Sequence, residues 1–552
     1  VAEVVQPSSE PHPSPGSSKT DSVLRLAKLV EQLYRQEEHD YNMPPLVAVG
    51  EAGTPLGRIR DGDSVIFCCR RGEREIQLTR SFVDPDFSEH PVKPFKELTF
   101  VPMTLYHEDF SHLPVAFPPL EIKDTLGEVV SQHGLKQARI AESEKFAHVT
   151  HFFNGRSRGE FPGEVDVYIP SRKDVAPVDA PELRIEEVTQ RTTDFLARGE
   201  HQLIVVNLAN GDVIGHIDNR DANLHAAEVI DRCLGVLISS AQRNGYITAV
   251  TADHGVFEQM TTAQGKPSTA HTTNPVPFIL VGEGYAPNQI KLRSGKLANV
   301  APTLLEIMRL TKPKAMRCHS LIRRIAPVGE RIDSHPNLML LVILDGCGIG
   351  LRDESNPLFT ASTPVLDHLN ATCSLTRLKA SGTAVGLLAD KPGNSESGHM
   401  NIAAGRVVLQ DDVRVERALK DGSWMRNPAF LHAIQAAQQN RGSLHLLALL
   451  SKKSSHGSMD YALQMLKLAQ DRGMGSVFIH MIFDGRSTAP GSAPRLLVEF
   501  GMKMQRIGLG RIVTGIGRGY ALDRDQNYQD RTRVAYEAMV YGKGREVNRW
   551  LA

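Results

Sequence analysis

An excess of charge of either sign is missing from this sequence. Its 552 residues hold 63 Lys and Arg against 63 Asp and Glu, a balance that argues neither for nor against a nucleic-acid or membrane-surface partner. Long apolar runs are also missing: none approaches the ~20 residues that a membrane-spanning helix needs. Cysteine is scarce. The six residues (Cys68, Cys69, Cys233, Cys318, Cys347 and Cys373) form no CxxC pair and no regular spacing, which points to free thiols in a reducing compartment. The chain opens on Val1 rather than Met, so a targeting peptide could have been removed upstream. The expected location is cytoplasmic, with an organelle as the alternative. What the chain does have is 41% apolar and 23% charged residues, enough for large cores and a solvated surface. Its length predicts two or more domains.

Residues 6–19, "QPSSEPHPSPGSSK", are Pro/Ser-rich and read as a flexible tail. A helical pattern follows in "DSVLRLAKLVEQLYRQ", and short apolar runs then alternate with helical patterns, which predicts an α/β protein. Buried-strand candidates are "SVIFCC", "HQLIVVNLA", "YITAVTAD", "VPFILVG", "LMLLVILDG" and "LHLLALLS". The segment 312–336 is basic and carries Pro313 and Pro327. It reads as a solvated connector between two blocks.

Three of the apolar runs end in acids. "LVILDG" delivers Asp345, "AVTADHG" delivers Asp253 and His254, and "VVNLANGDVIGH" delivers Asp212 with His216 four residues on. Ligands of open α/β sheets bind at the carboxyl ends of strands. If a helix starts at Asp212, the i, i+4 pair shares one face. His271 in "TAHTTNPVPF" precedes another strand. Each residue alone is commonplace, since an Asp after a strand usually forms a turn or caps a helix. Together they make a mixed O/N donor set suited to Mn²⁺, Zn²⁺ or Mg²⁺. Two such cations could clamp a phosphoryl displacement. The run "PGNSESGHM", residues 392–400, adds a serine, Ser395, that needs such activation before it can act as a nucleophile.

These segments resemble a known family, the cofactor-independent phosphoglycerate mutases of the alkaline phosphatase superfamily. The likeness rests on "LDGCGIG", "GTAVGL", "GNSESGH" with "NIAAGRVV", "GRGYALDRD", "AYEAMVYGKG", "GRIRDGDSVIF", "ESEKFAHVTHFFNG", "NGDVIGH", "TADHG" and "HTTNPVPF". They cover roughly residues 40–305 and 338–545. Their order differs from the family's, so the chain reads as a circular permutant. The resemblance implies an alkaline-phosphatase-like doubly wound sheet domain plus a second α/β transferase domain. The expected division is a tail at 1–19, transferase parts at 20–118 and 409–552, phosphatase parts at 119–311 and 337–408, and a linker at 312–336 joining the family's usual termini.

By the same resemblance Ser395 is the nucleophile that takes up the phosphoryl group. One cation would be held by Asp345, Ser395, Asp253 and His254, the other by Asp212, His216 and His271. Mn²⁺ is expected first, with Mg²⁺, Co²⁺ or Zn²⁺ as alternatives. Substrate-binding candidates are His456, Arg486, Arg518, Arg524, Arg71, Arg74 and Lys145. The implied reaction interconverts 3-phosphoglycerate and 2-phosphoglycerate through phosphoserine, with the transferase domain closing over the site to keep water out. The expected state is a monomer binding this small substrate, with neither a nucleic acid nor a membrane as partner.

Some positions depart from the family pattern. "DGGVHS" becomes "KKSSHG" at 452–457, with only His456 retained. "DGRD" becomes "DGRS", ending in Ser487. "NFR" becomes "CRR" at 69–71, and "TADHGN" ends in Val256. The cation ligands are intact while the transfer pocket is altered. Two further readings therefore stand beside an active mutase: a phosphomonoester hydrolase or mutase of altered specificity, and a catalytically weak subunit of a larger assembly.

Overall fold

A computed structural model describes residues 19–50, 53–157, 159–325 and 337–548. The chain divides into two compact units, one of Val1–Pro119 with Arg414–Ala552 and the other of Leu120–Val413. Residues 1–18 of the expected tail and 326–336 of the expected linker lie outside the described residues, while Lys19, read as the tail's last residue, opens the helix Lys19–Tyr34.

The 120–413 unit is built on an eight-stranded sheet. Its strand order is Gly295–Lys296, Ser374–Lys379, Val276–Val281, Ile247–Thr251, Met339–Leu344, Leu203–Leu208, Gln137–Glu142 and Glu164–Ile169. The last five run parallel. Parallel strands are covered on both faces, so they read as continuous apolar runs rather than alternating ones. All six residues of Met339–Leu344 are buried, a gross contribution on the order of 10 kcal/mol at about 1.5–3 kcal/mol per large apolar side chain. Leu344 pairs with Leu208, and Ile343 with Thr251, so three neighbouring strands at the middle of the sheet end level with one another. Val276–Val281 is antiparallel to Ile247–Thr251. It therefore begins at the edge where its neighbour ends, and the loop before it reaches the same place.

The helix Ser395–Ala404 packs at that edge. Asn394 caps it by accepting from the Ser397 N–H, and Gly405 ends it in the left-handed conformation at φ 61°. A Cβ on Gly405 would meet Met316 at 2.5 Å. Met316 is buried, and the Cys318 N–H donates to the Gly405 carbonyl at 2.9 Å. Ile322–Arg324 pairs antiparallel with Ile290–Leu292. Residues 312–325 are thus folded onto this unit, in contrast to the solvated connector expected of them. Their cationic side chains face water while Met316, Leu321 and Ile322 supply buried apolar surface.

The other unit carries a seven-stranded sheet in the order Arg545–Asn548, Leu46–Val49, Arg511–Gly517, Val477–Phe483, Leu444–Leu450, Ser64–Cys68 and Thr99–Pro102. From Arg511–Gly517 to Thr99–Pro102 the strands are parallel. The helix Lys19–Tyr34 packs on the helix Ala493–Ile507, where Gly501 admits Val23: a Cβ there would lie 2.7 Å from the valine side chain. A chain of polar groups runs inside this sheet. His445 Nε2 lies 3.0 Å from Asp63, His445 Nδ1 lies 3.0 Å from His480 Nε2, and His480 Nδ1 lies 2.9 Å from the Thr514 hydroxyl. Burial pushes His480 well below the usual histidine range, so it stays neutral there. The six cysteines are free. Among the described residues no helix is long and apolar enough to cross a membrane.

Candidate active site

In the 120–413 unit the level strand ends bring the three acids together. Asp345 directly follows Met339–Leu344, Asp253 stands two residues past Ile247–Thr251, and Asp212 lies in the short helix Asn210–Gly215 that follows Leu203–Leu208. Lys145, in the helix Ser143–Ala147 after Gln137–Glu142, donates from Nζ to Asp212 Oδ2 and Asp345 Oδ1, both at 2.6 Å, and to the Ser395 hydroxyl at 2.8 Å. Expected as a substrate contact, this lysine occupies the centre of the acidic cluster. Ser395 is the first residue of its helix, where unsatisfied N–H groups favour developing negative charge. Its Oγ also lies 3.0 Å from His254 Nε2 and 3.5 Å from Asp345 Oδ1.

The second expected ligand set is equally close. Asp212 Oδ1 stands 3.2 Å from His216 Nε2 and 3.2 Å from His271 Nε2. His216 Nδ1 is 2.7 Å from the Thr269 carbonyl, and His271 Nδ1 is 2.7 Å from the Gly393 carbonyl. Carbonyls only accept, so each ring carries its proton on Nδ1 and turns the Nε2 lone pair inward. The two Nε2 atoms then face each other at 3.0 Å. Two lone pairs and a carboxylate oxygen at that spacing need a cation between them. Without one, a proton can serve, because the Asp212 carboxylate raises His216, and raises His271 against the effect of burial.

Electrostatics point the same way. Burial alone would push Asp212 and Asp253 up. His216, His271 and Lys145 outweigh it for Asp212, and His254, His399 and Lys145 outweigh it for Asp253, so both carboxyls sit below the usual range. Asp345 is raised by burial and by the adjacent Asp253 and Asp212 carboxylates, with Lys145 opposing. Burial lowers Lys145, but Asp345, Asp212 and Asp253 overcome this and keep it firmly charged. One ammonium against three carboxylates leaves the cluster two charges negative before any histidine protonates.

Three supporting residues escaped sequence reasoning. His399 sits one turn along the Ser395 helix, with Nδ1 2.9 Å from the Ser395 carbonyl and 3.3 Å from Asp253 Oδ2. Its place in "PGNSESGHM", at i+4 from Ser395, is a visible signal. Asn207 donates to Asp345 Oδ2 at 2.6 Å and lies 3.0 Å from His399 Nε2. Glu258 is buried and accepts from Gly348 N–H at 3.0 Å, Asn274 at 2.9 Å and the Thr272 hydroxyl. It thereby ties the loop after Asp345 to the loop carrying His271. Val256 packs beneath these loops, where a Cβ on Gly346 would meet it at 2.8 Å.

The remaining candidates gather at the carboxyl edge of the other unit's parallel sheet. Arg71 and Arg74 follow Ser64–Cys68, His456 follows Leu444–Leu450, Arg486 follows Val477–Phe483, and Arg518 and Arg524 follow Arg511–Gly517. Glu73 accepts from Arg71 at 2.9 Å and from Arg524 at 3.2 Å. Arg74 donates to the Leu522 carbonyl at 3.2 Å, and Arg518 pairs with buried Asp484. Arg486 is exposed and lies 5.9 Å over the Tyr41 ring. The Ser454 and Ser487 hydroxyls are 3.0 Å apart. His456 Nδ1 is 2.9 Å from Glu75 Oε1, and Glu75 is the fourth residue that the sequence did not single out.

Residues 53–312 match the Metalloenzyme superfamily, and residues 415–551 match the BPG-independent PGAM N-terminus. The two matches together tie the chain to the metalloenzyme superfamily over its middle and to the BPG-independent PGAM amino-terminal module after it. It is 42% identical over 320 residues to the 2,3-bisphosphoglycerate-independent phosphoglycerate mutase of Thermosynechococcus vestitus, covering 57% of this chain and 59% of that one. Its identity to the enzyme of the same name from Syntrophotalea carbinolica is 43% over 298 residues, covering 54% and 57%. The chain thus spans under two thirds of the length of the curated relatives it matches. A solved phosphoglycerate mutase of Leishmania mexicana aligns with 29% identity over 50% of this chain and 53% of that one, at a TM-score of 0.39. In this chain the module matching a BPG-independent PGAM amino terminus lies carboxy-terminal to the metalloenzyme match.

Divalent-metal dependence goes with the superfamily, and the donor set fits it. Asp212, His216 and His271 form one ligand group, Asp212, His254 and Asp345 a second, and Asp253, Asp345 and His399 a third. Asp212 Oδ1 and Asp253 Oδ2 are buried and lack a hydrogen-bond partner among the described residues, a cost that a bound cation would remove. The expected four-residue set of Asp345, Ser395, Asp253 and His254 is close-packed here, with Asp212 reaching both sets.

Proposed function

We propose that this chain interconverts 3-phosphoglycerate and 2-phosphoglycerate through a phosphoserine at Ser395. The observation that carries the reading is one hydroxyl, at a helix N-terminus, within 3.0 Å of both His254 Nε2 and Lys145 Nζ inside a doubly negative cluster. Cations held by Asp345, Ser395, Asp253 and His254 and by Asp212, His216 and His271, Mn²⁺ foremost, would supply the positive charge that activates the hydroxyl and neutralises the phosphate. Lys145 holds the Ser395 oxygen in place and favours its anionic form. Ser395 Oγ forms the bond to phosphorus as the glycerate oxygen leaves. In the second half a glycerate hydroxyl attacks phosphoserine and Ser395 is released. Arginines bind phosphate and carboxylate through two oxygens at once, which gives Arg71, Arg74, Arg486, Arg518 and Arg524 the substrate's anionic groups.

We further propose that the order of the chain is a circular permutation. The position of the amino-terminal module after the metalloenzyme match supports it, as does the division into a continuous 120–413 unit and a split partner. On this reading the first is the phosphatase domain and the second the transferase domain.

The test is a coupled assay on 3-phosphoglycerate with chelated protein and with added Mn²⁺, run beside Ser395→Ala. The reading expects Mn²⁺-restored turnover, radioactive phosphate trapped on Ser395, and no turnover in the variant. Turnover by Ser395→Ala would remove the covalent route. Release of inorganic phosphate alone would point to a hydrolase, the outcome that the paired Ser454 and Ser487 hydroxyls favour. No turnover at all, with tight co-purifying partners, would point to a subunit of a larger assembly.

A further inference from the structure

The arginine-lined edge of the sheet in the 1–119/414–552 unit contains a histidine whose inner nitrogen is taken. His456 is buried, and so is Glu75. Glu75 Oε1 lies 2.9 Å from His456 Nδ1, while Glu75 Oε2 accepts the Arg74 N–H at 3.2 Å. The histidine loop is pinned on both sides. Arg70 N–H donates to the His456 carbonyl at 2.7 Å, and the His456 N–H donates to the Ser454 hydroxyl at 3.3 Å. Among the described residues His456 Nε2 has no hydrogen-bond partner. A carboxylate accepts but does not donate, so this arrangement places a proton on Nδ1 and leaves Nε2 as the atom for a ligand.

We propose that Glu75 is a positioning residue of the anion site: it holds His456 Nδ1 and so fixes the ring with Nε2 turned to a phosphate-monoester oxygen. The proposal rests on the reading of this edge as the site for the substrate's anionic groups. It goes beyond that reading by naming the carboxylate that sets the direction of the histidine.

The surroundings fit that role. Arg71 and Arg524 are already joined through Glu73, whose carboxyl is lowered first by the Arg71 hydrogen bond and then by Arg71, Arg524 and His456 charge. Burial raises the Glu75 carboxyl above the usual range, and His456 and the Arg74 N–H oppose that rise only in part. The other titratable groups facing Glu75 are the Cys69 thiol and the Tyr106 hydroxyl, both buried and both held neutral by burial. Glu75 is thus the nearest anion to His456, and no second buried carboxylate contacts the ring among the described residues.

The test uses the full chain labelled with ¹⁵N-histidine, His456→Gln to assign the ring, and inorganic phosphate as the probe. Without ligand, the ring nitrogens of His456 should report a proton on Nδ1; a neutral ring protonated only on Nε2 overturns the proposal whatever the activity. Glu75→Gln keeps an acceptor but removes the charge. It should weaken phosphate binding at pH 7 about tenfold, the loss expected for one charge-assisted hydrogen bond, and Glu75→Asp should recover part of it. Unchanged phosphate affinity and pH profile in a folded Glu75→Gln protein also overturns it. If wild-type protein with the expected ring state binds no phosphate, the anion-site reading fails instead, and the ring measurement tells the two failures apart.

Discussion

Replacing Lys145 by Met removes the one ammonium from the acidic cluster while keeping a side chain of similar length. Lys145 is 5% exposed and contacts Asp212, Asp345 and Ser395. Asp253 also contributes to its charge. Breaking a buried ion pair by removing one partner costs about 3–5 kcal/mol, because the other partner is left buried and uncompensated. For a unit of this size each kcal/mol moves the midpoint by about 2–4 °C, so chelated Lys145→Met should melt about 6–20 °C below chelated wild type. Divalent cations would bring the missing charge to the same carboxylates, so Mn²⁺ should stabilise the variant by more degrees than it stabilises wild type. Calorimetry on both proteins, each with chelator and with excess Mn²⁺, reads this difference of differences. Equal midpoints in chelator would refute the counter-charge argument. Equal gains on adding Mn²⁺ would show that Lys145 and the cations do not share the same carboxylates.

Other outcomes follow from particular contacts. Ser487→Asp should raise the ratio of mutase to phosphatase turnover, because the new carboxylate can accept from Ser454 and hold a substrate hydroxyl; a constant ratio in paired assays would count against this. A Cβ on Gly211 would lie 2.5 Å from the Asp345 carbonyl and 2.6 Å from Cys347 Sγ. Gly211→Ala should therefore cost about 1–3 kcal/mol and weaken Mn²⁺ binding measured by calorimetry. Burial and the Glu164 charge raise Asp166 to about 7. A carboxyl raised in the folded state confers relative stability below its unfolded pKa, and that stability is lost as pH climbs through about 7. The group is only partly buried, so screening holds the effect to on the order of 1 kcal/mol. Asp166→Asn should flatten the decline of the melting midpoint between about pH 5 and about pH 8, and an identical decline would remove Asp166 as its source.

All six apolar runs read as strands are strands in the structure: 64–68, 203–208, 247–251, 276–281, 339–344 and 444–450. Their hydrophobicity is continuous, so the α/β class was legible without tertiary information. Gln137–Glu142, Val477–Phe483 and Arg511–Gly517 were harder to read because polar residues interrupt them. Arg139 is buried beside Glu164, Gln137 and the Phe153 ring, and His480 and Thr514 satisfy each other across two strands. Such residues enter a core only because a distant partner pairs with them, and no local pattern announces that partner. Residues 312–325 show the converse. Their basic composition advertises solvent, while the few apolar side chains that dock them are too sparse to form a pattern.

The order of apolar and acidic residues along the chain determined that Asp212, Asp253 and Asp345 each stand at a strand's carboxyl end, since that relation is local. It also determined the i, i+4 pairing of Asp212 with His216 and of Ser395 with His399. Only the tertiary structure decided that those three strands lie side by side with level ends, that the antiparallel Val276–Val281 carries His271 back to the same edge, and that Lys145 sits among the acids. Strand adjacency arises from long-range pairing and twist, and the charge balance of a buried cluster from groups up to 250 residues apart. Neither quantity is a property of any short stretch. The Glu75–His456 pair, 381 residues apart in sequence, belongs to the same class.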